Sequence, residues 1–267
     1  MGLEGEIAGA YSRLKRLATA GPNRENSMTI RLISLLLLLL SFPALAGDVY
    51  VKTKNHTDAV SMKGMTTPAK DEITEQWIGA KHLAHVGANR SVVVDLDKKQ
   101  IFFINPQSKT YVQATLPFEM TKLLPPQMAS MVGMMKMSMK VNPTPEKKMI
   151  GKWNCQGYDI TMTVMGMPIK TKAWVTKDVP IDMAQYRALY AQVLKGQFLD
   201  EASIQEINKI DGFQVASETN GEIMGAKIRS TTEILEIATK DAPAGVYAPP
   251  AGFTKKDALE VEDLQQK

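Results

Sequence analysis

The stretch Gly157–Asp178, GYDITMTVMGMPIKTKAWVTKD, decides the fold. Ile160, Met162 and Val164 alternate with Thr161 and Thr163. After a turn at Met165-Gly166-Met167-Pro168, Ile169, Thr171, Ala173 and Val175 alternate with Lys170, Lys172 and Trp174. A period of two with one polar face specifies an antiparallel hairpin in a half-solvated sheet.

The same grammar extends in both directions. Upstream, DVYVKT and DEITEQWIG read as strands. RSVVVDLDKKQIFFIN reads as a hairpin around Asp97-Lys98-Lys99, and KTYVQAT as a further strand. LPFEMTKLL is expected to be helical, starting at Pro117 and stopping at Pro125-Pro126. Downstream, residues 180–210 read as two helices. Asp182 caps the first, Gly196 closes it and Asp200 starts the second. Residues 212–239 return to strands, with Asn220-Gly221 as the expected turn. A proline-stiffened tail, GVYAPPAGFTKK, and a short helix end the chain. Strands, helix, strands, helices, strands is not the regular alternation of a parallel α/β sheet. The order specifies α+β, one twisted antiparallel sheet with a few helices on one face.

The N-terminus reads as an export signal. Residues 28–46, MTIRLISLLLLLLSFPALA, combine Arg31, an apolar run from Leu32 to Leu40 and an Ala44-Leu45-Ala46 ending. The run is shorter than the roughly 20 residues a bilayer span needs. Cleavage is expected after Ala46, with residues 1–27 an upstream mis-start or disordered extension and 47–267 a single domain. Removing 46 of 267 residues leaves 221, enough for a real core. The charge is close to balanced, and no basic block exceeds a pair, so nothing points to nucleic acid.

Gln127–Val141, QMASMVGMMKMSMKV, holds six methionines. Met128 and Met131 suit one face of a short helix. Met135, Met137, Met139 and Val141 then alternate with Lys136, Ser138 and Lys140 at strand period. Flexible thioethers suit an adaptable apolar surface, which is the preferred reading. The alternative is a Cu(I) site within Met128–Met139, because soft sulfur selects Cu(I) and spacings such as Met128-x-x-Met131 and Met131-x-x-Met134-Met135 bring sulfurs together.

Other chemistry is sparse. Cys155 is the single cysteine, so it makes no internal disulfide and reads as a small buried hydrophobe. His82 and His85, in an extended segment, point to opposite faces and do not chelate together. The chain has no G-x-S-x-G, H-E-x-x-H, C-x-x-C, P-loop or G-x-G-x-x-G. No catalytic residue, cofactor or enzyme activity is therefore expected.

VVVDLDKKQIFFINPQSKTYVQ, then KKMIGKWNCQGYDITM with Gly151, Cys155 and Tyr158, then AWVTKDVP and GVYAPPAGFTK form a familiar series. Over roughly Asp48–Lys255 it resembles an uncharacterised family of exported bacterial proteins related to LolA-like outer-membrane lipoprotein carriers. The resemblance implies an unclosed antiparallel β-barrel with helices covering its concave face. It also implies a periplasmic, non-catalytic binder of lipid, acyl chain or other hydrophobic small molecule, with an envelope protein as a further partner. Leu123, Leu124, Met128, Met131, Met134, Met135, Met137 and Met139 are the expected ligand-lining residues, with Trp77, Trp153 and Trp174 as further contributors. The arginine that the carriers hold near their lid has no counterpart assigned here. A structural or interaction module with a filled interior is the remaining alternative.

Overall fold

In the computed structural model, hairpin alternation has become one long open sheet. The structure describes residues 47–260 and Asp263, except 63–64, 134–136, 197–198 and 224. The expected leader, residues 28–46, and the stretch before it lie outside the described residues, as do Met134 and Met135.

The first half of the sheet is built from β1 (Asp48–Thr57), β4 (Lys70–Ile78), β5 (His82–Val86), β6 (Ser91–Asp95), β7 (Gln100–Asn105) and β8 (Thr110–Thr115). The second half is built from β9 (Met137–Ile150), β10 (Trp153–Val164), β11 (Met167–Thr176), β12 (Phe213–Ile223) and β13 (Ala226–Lys240). The strand order is β14-β8-β7-β6-β5-β4-β1-β13-β12-β11-β10-β9. Every neighbouring pair is antiparallel except β14 (Thr254–Lys256), which lies parallel to β8. The sheet does not close, because β9 and β14 are its two edges. A small hairpin, β2 (Val60–Met62) with β3 (Met65–Thr67), forms a separate two-stranded sheet beside β13.

Strand β1 joins the halves, with Val51 opposite Gln76 of β4 on one side and Ile237 of β13 on the other. Its alternation serves two cores. Val49 and Val51 enter the main core, and Tyr50 enters a second cluster on the opposite face. Strand β7 repeats this, with Ile101 and Phe103 on the first side and Phe102 and Ile104 on the second. Its continuous apolar run is thus explained by burial on both faces. The tail covers the second face through Val246, Tyr247 and Phe253, and the Tyr247 hydroxyl donates to Asp48 at 2.8 Å.

Helices cover the main core. A 3-10 turn spans Met120–Leu123, followed by α1 (Pro126–Gly133) and α2 (Met183–Gly196), while α3 (Glu201–Ile207) packs along β9 instead. Helix α2 presents Met183, Tyr186, Leu189 and Val193 to the core at helical spacing. Asp182 Oδ1 accepts from the Ala184 and Gln185 N–H groups at 2.9 and 3.1 Å, which caps the helix. Asp200 accepts from the Ser203 N–H at 2.7 Å and caps α3 in the same way.

Three sequence expectations are corrected. The segment around Pro117 gives only four residues of 3-10 helix, after a cis Leu116-Pro117 bond. Pro126 starts α1 instead of stopping a helix, which suits a residue with no N–H to give. Asn220-Gly221 does not turn. Gly221 lies within β12, opposite Ile169 on one side and Ile228 on the other. A Cβ at Gly221 would come within 3.1 Å of the Ile169 side chain, so the glycine permits close strand approach. The connection falls where Gly225 takes φ +82.

Candidate functional site

The expected ligand-lining residues do not form one surface. Leu124 is buried in the main core, and Leu123 and Met128 pack half-buried against it. Met131 falls within α1. Met137 and Met139 lie on β9, and Met139 packs in a third cluster with Val141, Tyr158, Ala173, Val175 and Ile160. The stretch therefore divides as its two periodicities imply, into helix and strand, and the two parts serve different clusters.

The helix-covered face is closed in this structure. Phe118 meets Phe103 edge-on at 5.5 Å. Gly196, at the end of α2, rests on the Phe118 ring so closely that any Cβ there would overlap it. Tyr186 meets Phe213 edge-on at 5.3 Å and stacks on Tyr190 at 5.7 Å, and burial holds the Tyr186 phenol above its ordinary range. The Leu259 N–H donates to the Leu123 carbonyl at 2.7 Å, so the tail pins the 3-10 turn. The covering layer nevertheless contains Met120, Leu123, Met128, Met183 and Val193, all half-buried. The three methionines among them can repack with little rotamer strain.

Of the tryptophans, Trp153 lies in the main core and Trp77 in the second cluster, beside Tyr50. Trp174 packs half-buried against the main core, and the Lys148 and Lys172 ammonium groups are 5.0 and 5.7 Å from its ring centroid. These are cation–π contacts on a lysine-bearing face.

Two clefts are lined largely by polar side chains. One, of about 510 Å³, is lined by Lys147, Asn154, Cys155, Tyr158, Lys177 and Asp211 among others. Cys155 is only 1% exposed, and burial pushes its thiol up, so it is held protonated and is a poor nucleophile. The second, of about 460 Å³, is lined by Asp58, Glu72, His85 and Arg90 among others. Near it His56 bonds Asp71 at 2.5 Å and Asp58 at 3.0 Å. The hydrogen bond to Asp71 raises the His56 pKa. His82 and His85 sit on β5, where a separation of three places them on opposite faces. Among the described residues, no three His, Cys, Asp or Glu side chains gather as a metal site. No helix among them is long and apolar enough to cross a membrane.

Sequence reasoning missed one grouping. The strand register brings Met162 and Met167 beside Met137 and Met139. Their alternation was legible, but their proximity to β9 depended on the β9–β10 register.

An open, antiparallel-dominated sheet with helices on one face defines the class of architecture. The chain belongs to the family described as a domain of unknown function (DUF4412), whose model matches residues 70–253. That match runs from the start of β4 through β13 to Phe253 in the tail. A comparison with curated proteins gives no match.

Proposed function

We propose that this is an exported, non-catalytic protein of the cell envelope, with a LolA-like fold, that holds an acyl chain or similar apolar ligand between its sheet and its helices. The observation that carries the reading is the composition of that interface. A broad aliphatic sheet face, including Val51, Val94, Ile101 and Val112, lies beneath a covering layer edged by half-buried methionine and leucine. Helix α1 has only eight residues, fewer than an isolated helix needs for stability, so it depends on the core for its order. Lifting the 3-10 turn and α1 would exchange the Leu123, Leu124 and Met128 contacts for contacts with a ligand at small net loss of buried apolar area. The leader expected at residues 28–46 supports export, and the sheet-and-helix arrangement supports the relation to lipoprotein carriers.

The test is native mass spectrometry of the protein purified gently from its host, followed by titration of the stripped protein with a fluorescent long-chain fatty acid. The reading expects a mature mass starting at Gly47, an extractable lipid adduct and saturable binding weakened by Met128→Glu. A bare chain with no saturable binding would sink it. The closed packing of Phe118, Leu124 and Leu189 favours a second reading, an interaction module with a filled interior, and that outcome would support it.

A further inference from the structure

The second half of the sheet ends in a patch of thioethers. Met137 of β9 lies opposite Val164 of β10, which lies opposite Met167 of β11. One step inward, Met139 lies opposite Met162, which lies opposite Ile169. Opposed residues in an antiparallel pair share a face, as do residues two apart on a strand. Met137, Met139, Met162 and Met167 therefore stand on one face, and all four are half-buried.

Packing alone does not account for this choice. Farther along, the same strands fill the third cluster with Val141, Ile160, Ala173 and Val175, and of the four methionines only Met139 packs against it. Half-exposed strand positions favour β-branched and aromatic residues, and methionine normally serves irregular interior gaps. The hairpin here is regular, with a tight turn at Met165 (φ +51) and Gly166 (φ +79). The lysines of these strand ends alternate with the methionines, since Lys140 lies opposite Thr161 and Thr161 opposite Lys170. That alternation keeps their ammonium groups off the thioether face.

We propose that Met137, Met139 and Met162, with Met167 beside them, form a Cu(I) site on the end of the β9–β10–β11 sheet. Soft thioether sulfur selects Cu(I) over harder ions. Opposed Cβ atoms are about 5 Å apart, and neighbours on one strand about 6.8 Å. Each sulfur lies two bonds beyond its Cβ, so three can converge on one ion from these positions. Helix α3 closes the outer side of the patch. Leu199 bridges to Met137, and the Ser203 hydroxyl accepts from the Met139 N–H at 2.9 Å. Thioethers carry no proton to displace, so binding is independent of pH in the range where a thiol site would titrate. The site lies apart from the helix-covered face and stands without the lipid reading.

The mature protein is titrated anaerobically with Cu(I) against a coloured Cu(I) chelator at pH 5 and pH 8, and the bound metal is examined by X-ray absorption. The expected result is one Cu(I) per chain, a sulfur-only shell and equal retention at both pH values. Leucine at Met137, Met139 and Met162 abolishes retention without changing the circular dichroism spectrum. Cys155→Ala and Met128→Leu/Met131→Leu leave it intact. If the triple variant fails to fold, Met162→Leu alone is used, with fewer sulfurs expected in the shell. Complete stripping of the wild type by the chelator, retention by the leucine variant, or loss in Cys155→Ala would each overturn the proposal.

Discussion

Leu189→Ala tests whether α2 is seated as described. Leu189 is 0% exposed and belongs to the main core, facing the sheet beside Tyr186 and Val193. Truncation removes its buried methylenes and leaves a void beneath a helix that cannot collapse freely, because Gly196 already rests on Phe118. Such substitutions cost about 3–5 kcal/mol. For a domain of this size, ~1 kcal/mol lowers Tm by roughly 2–4 °C, so a fall of about 6 °C or more is expected. Urea unfolding followed by circular dichroism gives the free energy directly. Gln185→Ala, on the exposed side of the same helix, should stay within about 0.5 kcal/mol of wild type. A Leu189→Ala cost below about 1 kcal/mol would refute the docking of α2 on the sheet.

Three further outcomes are expected. Burial of Asp263 opposes its charge, but the Glu260 N–H, the Lys256 ammonium at 2.7 Å and the Asn105 amide at 2.8 Å outweigh it and hold the carboxyl below its usual range. Its folded pKa is depressed, so its contribution is present above the unfolded value near ~3.9 and is lost as pH falls through the folded one. Acid should loosen the tail before the sheet in hydrogen exchange, and Asp263→Asn should abolish that difference; simultaneous loss of both would contradict the assignment. Ser203 and Glu206 accept from the edge N–H groups of Met139 and Val141 at 2.9 and 2.8 Å, so Ser203→Ala/Glu206→Ala should cost about 1–3 kcal/mol and promote self-association, which light scattering would detect. Cys155 should resist a thiol reagent in the native state and react fully in denaturant, whereas rapid native labelling would refute its burial.

The strands were legible wherever one face is buried, because Ile160 to Val175 and Val92 to Ile104 show either alternation or a continuous apolar run. Strand β9 was legible only at its start. Its remainder, VNPTPEKKMI, contains two prolines that argue against a strand, yet it is an edge strand, where a missing N–H costs little. Asn220-Gly221 carries a strong hairpin signal, but the pairing of β12 with both β11 and β13 moves the turn beyond it. The helical half of the methionine stretch was placed correctly as to element. Which methionines become neighbours depends on cross-strand register, which the spacing along one strand does not encode.

The position of β1 has a kinetic consequence. Most neighbouring strands within each half are joined by local hairpins, the exceptions being β11–β12, which α2 and α3 separate, and β8–β14, but β1 must bond to β13, whose residues lie more than 170 positions later. Closing so long a loop carries a large entropic cost, and contacts of such separation slow folding. The middle of the finished sheet is therefore expected to be its last seam to close. Until it does, β1 and β13 both present unpaired edges, and that interval is when the chain is most open to capture by another strand.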